Sequence, residues 1–124
     1  MATTKHASSP RLLSSSEVTE LSHALPLWTF VGERGGRVVR TFYFGDFVEA
    51  FSFMTAVALV AEQTGHHPEW RNVYNRVEIT LTTHDVEGLS DFDSVLASAI
   101  DEIGKRHRAQ AGTTLARSPD RSVG

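Results

Sequence analysis

Between Asp46 and Pro68 the chain starts a helix, carries it through an almost wholly apolar stretch and then stops it abruptly. Asp46 is a good N-cap and Glu49 follows three residues later. Phe47, Ala50, Phe51, Met54, Val57, Ala58 and Ala61 recur at helical spacing and are expected to line one buried face. Val48, Phe53, Leu59 and Val60 are apolar as well and fall elsewhere on the wheel. A helix that is apolar on most sides is buried on most sides, and one sheet in a chain of 124 residues cannot cover it all. Part of helix 47–64 is therefore expected to pack against its counterpart in another subunit, giving a dimer or tetramer. Gly65 suits the position just past a helix end, where a left-handed conformation is needed, and Pro68 restricts His67 to extended geometry.

The elements around this helix follow from local pattern. Ser14 to Leu25 reads as a first helix, with Ser14 and Glu17 spaced as a capping box and Leu13 and Val18 as a hydrophobic staple; Pro26 stops it. Trp28–Val31 and Arg37–Phe44 are strand candidates, and Glu33–Gly36 between them supplies turn chemistry for an antiparallel hairpin. Asn72 to Asn75 is read as a short strand. Val77 to His84 is a clearer one, because Val77, Ile79 and Leu81 alternate with Glu78, Thr80 and Thr82. Asp85 to Leu89 is a loop. Ser90 caps a last helix with Asp93 at the third position, and Phe92, Val95, Leu96, Ala99, Ile100 and Ile103 form its expected core stripe. The order α-β-β-α-β-β-α with short turns predicts an α+β fold: a four-stranded antiparallel sheet with three helices packed on one face. Residues 13–108 are expected to form the domain, with 1–12 a disordered N-terminal tail and 109–124 a flexible C-terminal one.

The chain has no cysteine, which removes disulfides, thiolate metal sites and thiol catalysis. No apolar run reaches the roughly 18 residues a membrane span needs, and no secretory apolar region follows the N-terminus, so a cytoplasmic protein without membrane contact is the expectation. Residues 1–16 carry +2 and residues 105–124 carry +4, so the net charge of −3 leaves −9 on the body between them. An acidic body argues against direct nucleic-acid binding.

Three histidines draw the chemistry together. His66 and His67 follow a helix C-terminus, whose dipole favours imidazolium, and a histidine that switches protonation near neutral pH suits general acid–base work. A single helix-end histidine would read as a cap; two adjacent ones locked between Gly65 and Pro68 read as a site. His84 lies in the register of Glu78, Thr80 and Thr82 and points away from the core, where a strand-end histidine without a role is the competing reading. Asp93 can both cap its helix and orient a histidine. Glu62 lies one turn before His66, within reach of pairing with it, against the slightly favoured reading of a solvated surface carboxylate. Trp70 suits stacking on a flat heterocycle, against the plainer reading that it is core. A zinc or iron site, as in a metal-dependent hydrolase, is an alternative that lacks the helical His-x-x-x-His spacing.

The ordered set Glu62-x-x-x-His66-His67-Pro68-Glu69-Trp70, Asn72-Val73-Tyr74-Asn75-x-Val77, Ile79-Thr80-Leu81-Thr82-Thr83-His84, Gly88-Leu89-Ser90 and Asp93 resembles the pterin-4a-carbinolamine dehydratase family. The run Phe51-Ser52-Phe53-Met54-Thr55-x-Val57-Ala58-Leu59 resembles it too, and the likeness spans about residues 14–104. The resemblance implies a hydro-lyase, 4a-hydroxytetrahydrobiopterin dehydratase. It would convert 4a-hydroxytetrahydropterin to quinonoid dihydropterin in tetrahydrobiopterin recycling, functionally linked to an aromatic amino-acid hydroxylase. It further implies no metal or other cofactor, a dimer or tetramer with the long helix in the tetramer contact, and His66, His67 and His84 as the catalytic set. Glu62, Pro68, Trp70 and Asp93 are then supporting or substrate-binding residues. The competing class is a non-catalytic, helix-mediated binding module, since animal members of that family also serve as dimerisation cofactors.

Overall fold

In the computed structural model, which describes residues 9–32 and 36–110, a stack of buried phenylalanines joins sheet to helix. Phe42 and Phe44 lie 4.7 and 4.8 Å from Phe53, centroid to centroid, and all three rings are buried. Each such ring contributes roughly 2–3 kcal/mol by leaving water. The elements they join are α1 (Ser15–Ala24), β1 (Thr29–Val31), β2 (Arg37–Tyr43), α2 (Phe47–Thr64), β3 (Glu69–Val73), β4 (Arg76–Leu81) and α3 (Asp91–Arg106), with a 3-10 turn at His84–Val86.

The four strands form one antiparallel sheet in the order β1-β2-β4-β3. Val38 and Phe42 of β2 and Val77, Ile79 and Leu81 of β4 share a face, because side chains alternate along a strand. That face meets Phe53 and Val57 of α2 and Leu96, Ile100 and Ile103 of α3, with Val18 and Leu21 of α1 packed at its edge. The three helices occupy one face of the sheet, as expected of this α+β pattern. Arg40 braces the far end: its guanidinium lies 4.1 Å above the Phe42 ring and 2.6 Å from Asp101, which also accepts from the Trp28 indole N–H at 2.8 Å. Gly104 is required beneath it, since a Cβ there would stand 2.9 Å from the Phe42 ring.

The three expected N-caps are present. Ser14 and Glu17, and Ser90 and Asp93, make reciprocal capping boxes. Asp46 accepts from the Glu49 N–H, but the Glu49 carboxylate reaches back one residue further, to Gly45. Four expectations are corrected. The strand placed at Asn72–Asn75 runs instead over Glu69–Val73, and Tyr74-Asn75 forms the hairpin tip, with Tyr74 left-handed at φ 53. The strand ending at His84 stops at Leu81, and His84 opens the 3-10 turn. On α2 the core takes Ala50, Phe53, Val57 and Ala61, leaving Phe47, Phe51 and Ala58 exposed with Val48 and Leu59. On α3 Val95 is exposed, and Ala97 and Gly104 are buried in the stripe. Of the expected turn at 33–36 only Gly36 is described; residues 1–8 and 111–124 of the expected tails also lie outside the described residues.

Residues 10–13 dock on the start of α3. Leu12 bridges to Ser90, the Arg11 N–H donates to the Asp91 carboxylate at 2.8 Å, and the Leu13 N–H donates to Leu89 O at 2.9 Å. The Arg11 guanidinium closes on Glu17 at 3.0 Å.

Two outcomes follow from these contacts. Gly65 closes α2 at φ 74, a conformation that alanine adopts at a cost of about 1 kcal/mol. Gly65→Ala is expected to lower the urea midpoint with the slope unchanged, read by far-UV circular dichroism. The Arg11 guanidinium, and after it the Ser14 N–H, hold the Glu17 carboxyl below its ordinary range. A carboxyl lowered on folding stabilises above its unfolded value and loses that contribution as pH falls through the folded one. Glu17→Gln keeps an acceptor for Ser14 but not the charge facing Arg11. Its small deficit in Tm near pH 7 is expected to close as the pH falls through the lowered folded-state value of Glu17, with the exposure of the pair keeping the gap slight.

Candidate functional site

Where α2, β3, β4 and the start of α3 meet, a cleft of about 240 Å³ opens. Among the described residues it is lined by Gly65, His66, His67, Glu69, Thr82, Thr83, His84, Asp85, Phe92 and Pro10. The backbone explains why the histidines converge. The left-handed Gly65 folds the chain back so that its own N–H and that of His66 both reach Ala61 O, at 2.9 and 3.2 Å. Pro68 then sends the chain straight into β3, and Glu69 pairs in register with Thr80 of β4. His84 arrives from the other side through the turn that follows β4.

Each histidine meets a carboxylate through Nε2, and the three pairs differ in burial. His66 Nε2 lies 2.6 Å from Asp93 Oδ1, its side chain 12% exposed and that of Asp93 0%. His67 Nε2 lies 3.0 Å from Glu62 Oε1, with the histidine 59% exposed. His84 Nε2 lies 2.9 Å from Glu69 Oε2, with the histidine 79% exposed. Phe92 meets the His66 ring edge-on at 5.7 Å and closes the inner wall. Asp93 accepts further bonds on Oδ2, from the Thr83 hydroxyl at 2.6 Å and the Ser90 N–H at 2.9 Å. Both oxygens of this buried carboxylate thus have hydrogen-bond partners. Among the described residues no group of three or more histidine or carboxylate donors is gathered as a metal ion would need.

The structure thus brings His66, His67 and His84 to one cleft. Glu62, weighed as a partner for His66, is bonded to His67 instead, and the partner of His66 is Asp93, 27 residues further on. The turn at Gly65 removes His66 from the helical i, i+4 position that would have faced Glu62. Trp70 lies on the sheet's core side, opposite Ile79, and packs against the hydrophobic cluster rather than lining the cleft; Pro68 does not line it either. Sequence reasoning missed Glu69 as a histidine partner, and it missed Thr83. The signal for Thr83 was present: it falls in the buried register of Val77, Ile79 and Leu81, where a hydroxyl must find a partner.

Comparison with known proteins points the same way. The family model described as "Pterin 4 alpha carbinolamine dehydratase" matches residues 11–103. A protein of Synechococcus sp. (strain WH7803) named "Putative pterin-4-alpha-carbinolamine dehydratase" is 55% identical over 92 residues, covering 74% of this chain and 96% of its own. One of the same name from Burkholderia pseudomallei (strain 1710b) is 50% identical over 99 residues, covering 80% and 96%. The crystal structure of a transcriptional coactivator/pterin dehydratase from Brucella melitensis superposes with a TM-score of 0.72 at 42% identity, covering 76% of this chain and 99% of that one. A pterin dehydratase-like protein identified as a RuBisCO assembly factor in the α-carboxysome shares the fold, at TM-score 0.54 and 24% identity over 62% of this chain and 88% of its own. With its family model matched over nearly the whole described domain and relatives of about half identity, the chain belongs to the pterin-4a-carbinolamine dehydratase family.

Proposed function

We propose that this cleft dehydrates 4a-hydroxytetrahydropterin to quinonoid dihydropterin by histidine general acid–base catalysis, in tetrahydrobiopterin recycling. The observation that carries the reading is the convergence of three histidines, each bonded to its own carboxylate, on one small cleft. The reaction breaks the C4a–O bond and releases water. It needs one proton delivered to the departing hydroxyl and one removed from the adjacent ring nitrogen, so that the C=N bond can form. His66 and His84 stand on different elements and are assigned as the acid–base pair, with His67 binding and orienting the ring. Such help is worth roughly 10²–10⁴-fold, or about 3–5 kcal/mol of barrier. Glu62, Glu69 and Asp93 hold the three rings, and Trp70 and Pro68 fix the strand and turn that carry Glu69. The reading brings with it a cytoplasmic setting, an aromatic amino-acid hydroxylase as the source of substrate, and no resident metal.

A second role as a binding module is favoured by one observation. Phe47, Val48, Phe51 and Leu59 leave an apolar stripe exposed along α2, on the side away from the core. We assign this stripe to self-association into a dimer or tetramer, which leaves the histidine cleft free to act. The relative described as both coactivator and dehydratase is compatible with the two roles in one chain.

Decay of 4a-hydroxytetrahydropterin, generated in situ by an aromatic amino-acid hydroxylase, tests the reaction. The wild-type protein is expected to speed it, and His66→Ala and His84→Ala to lose at least tenfold in kcat. Near-normal turnover in both variants would refute the assignment. Sedimentation velocity tests the association: the double change Phe51→Glu, Leu59→Glu is expected to reduce the assembly by at least one step of subunit number.

A further inference from the structure

We infer that His66 acts through Nδ1, and that the buried hydroxyls of Thr83 and Ser90 are the positioning groups that fix this choice. Asp93 Oδ2 accepts from Thr83 Oγ1 at 2.6 Å and from the Ser90 N–H at 2.9 Å. A threonine hydroxyl has one proton, and Thr83 spends it on the carboxylate. The 2.7 Å contact between Thr83 Oγ1 and Ser90 Oγ must then run the other way, with Ser90 donating and Thr83 accepting. Ser90 Oγ in turn accepts from the Phe92 N–H at 3.1 Å. Every proton in the chain therefore has one direction, from the first turn of α3 through Ser90 and Thr83 to Asp93.

That direction decides the histidine. Thr83, Ser90 and Asp93 are 5%, 0% and 1% exposed, so solvent does not replace a missing donor. With Oδ2 already accepting from two donors, Oδ1 is the oxygen left to accept from the imidazole, and the proton between Oδ1 and His66 resides on Nε2. Neutral His66 is then the Nε2–H tautomer, and Nδ1 is its only lone pair. Nδ1 takes the substrate proton, or delivers it when the ring is imidazolium, while Nε2 never leaves Asp93. His67 and His84 are bonded through Nε2 as well, but to exposed glutamates that solvent competes for, so only His66 is fixed. The chemical use of Nδ1 rests on the dehydratase reading; the tautomer does not.

Long-range proton–nitrogen NMR on the histidine rings of the whole protein, without substrate, reads the tautomer directly. The wild-type spectrum is expected to show the neutral form of His66 with Nε2 protonated and Nδ1 bare. Thr83→Val keeps the shape and removes the hydroxyl, and is expected to give an averaged mixture of tautomers. Thr83→Ser is expected to restore the single one. In the dehydration assay Thr83→Val should lose roughly tenfold in kcat with little change in KM, because Thr83 acts through Asp93. A bare Nε2 in the wild type, or an unchanged tautomer in Thr83→Val, overturns the proposal. The wild-type and Thr83→Ser spectra still decide it if the valine variant fails to fold. A wild type with the expected tautomer but no dehydration overturns the functional reading alone.

Discussion

A buried carboxylate at the first turn of α3 holds together the part of this molecule where chemistry can occur. Isolated in an apolar interior, an ionised Asp93 would cost several kcal/mol. Here the Ser90 N–H, the Thr83 hydroxyl and His66 surround it. These three partners belong to three separate places: the cap of α3, the end of β4 and the exit from α2. Satisfying one charge therefore fixes the mutual position of two helices and a strand. Removing any one donor would leave a buried acceptor short, at roughly 1–3 kcal/mol. Stability and site geometry are thus the same set of bonds.

The rest of the core is simpler. Phe42, Phe44 and Phe53 clamp α2 to the sheet, and the Arg40–Asp101–Trp28 cluster anchors the far end of α3 to β2 and to the entry of β1. One end of α3 is therefore held by an ion pair braced on an aromatic ring and the other by the histidine site. Between them Leu96 and Ile100 lie on the strands. A helix fixed at both ends gives the cleft a wall that does not depend on the loops around it.

Much of this was legible in the sequence because it was local. Caps at Ser14, Asp46 and Ser90, the stop at Gly65 and the alternation along β4 each depend on residues within four positions of one another. The misreadings arose where local pattern carried too little. The edge strand Glu69–Val73 turns only Trp70 and the polar Asn72 inward, so it has almost no hydrophobic alternation to betray it. On α2 an apolar wheel offered two faces, and tertiary packing chose the one centred on Phe53 over the one centred on Phe51. The partner of His66 lay 27 residues away, beyond any spacing rule, and a single left-handed glycine redirected Glu62 to His67.

The unequal burial of the three histidine–carboxylate pairs divides the thermodynamic work of the cleft. The His66 ring is ordered when the chain folds, so a ligand that meets it loses little further entropy. His67 and His84 are solvated, and ordering each around a bound molecule costs about 0.5–1.5 kcal/mol at the moment of binding. Selectivity between ligands thus rests on the inner wall, which is already set. The outer wall limits how tightly any ligand is retained, so release depends on the two solvated pairs while recognition depends on the buried one.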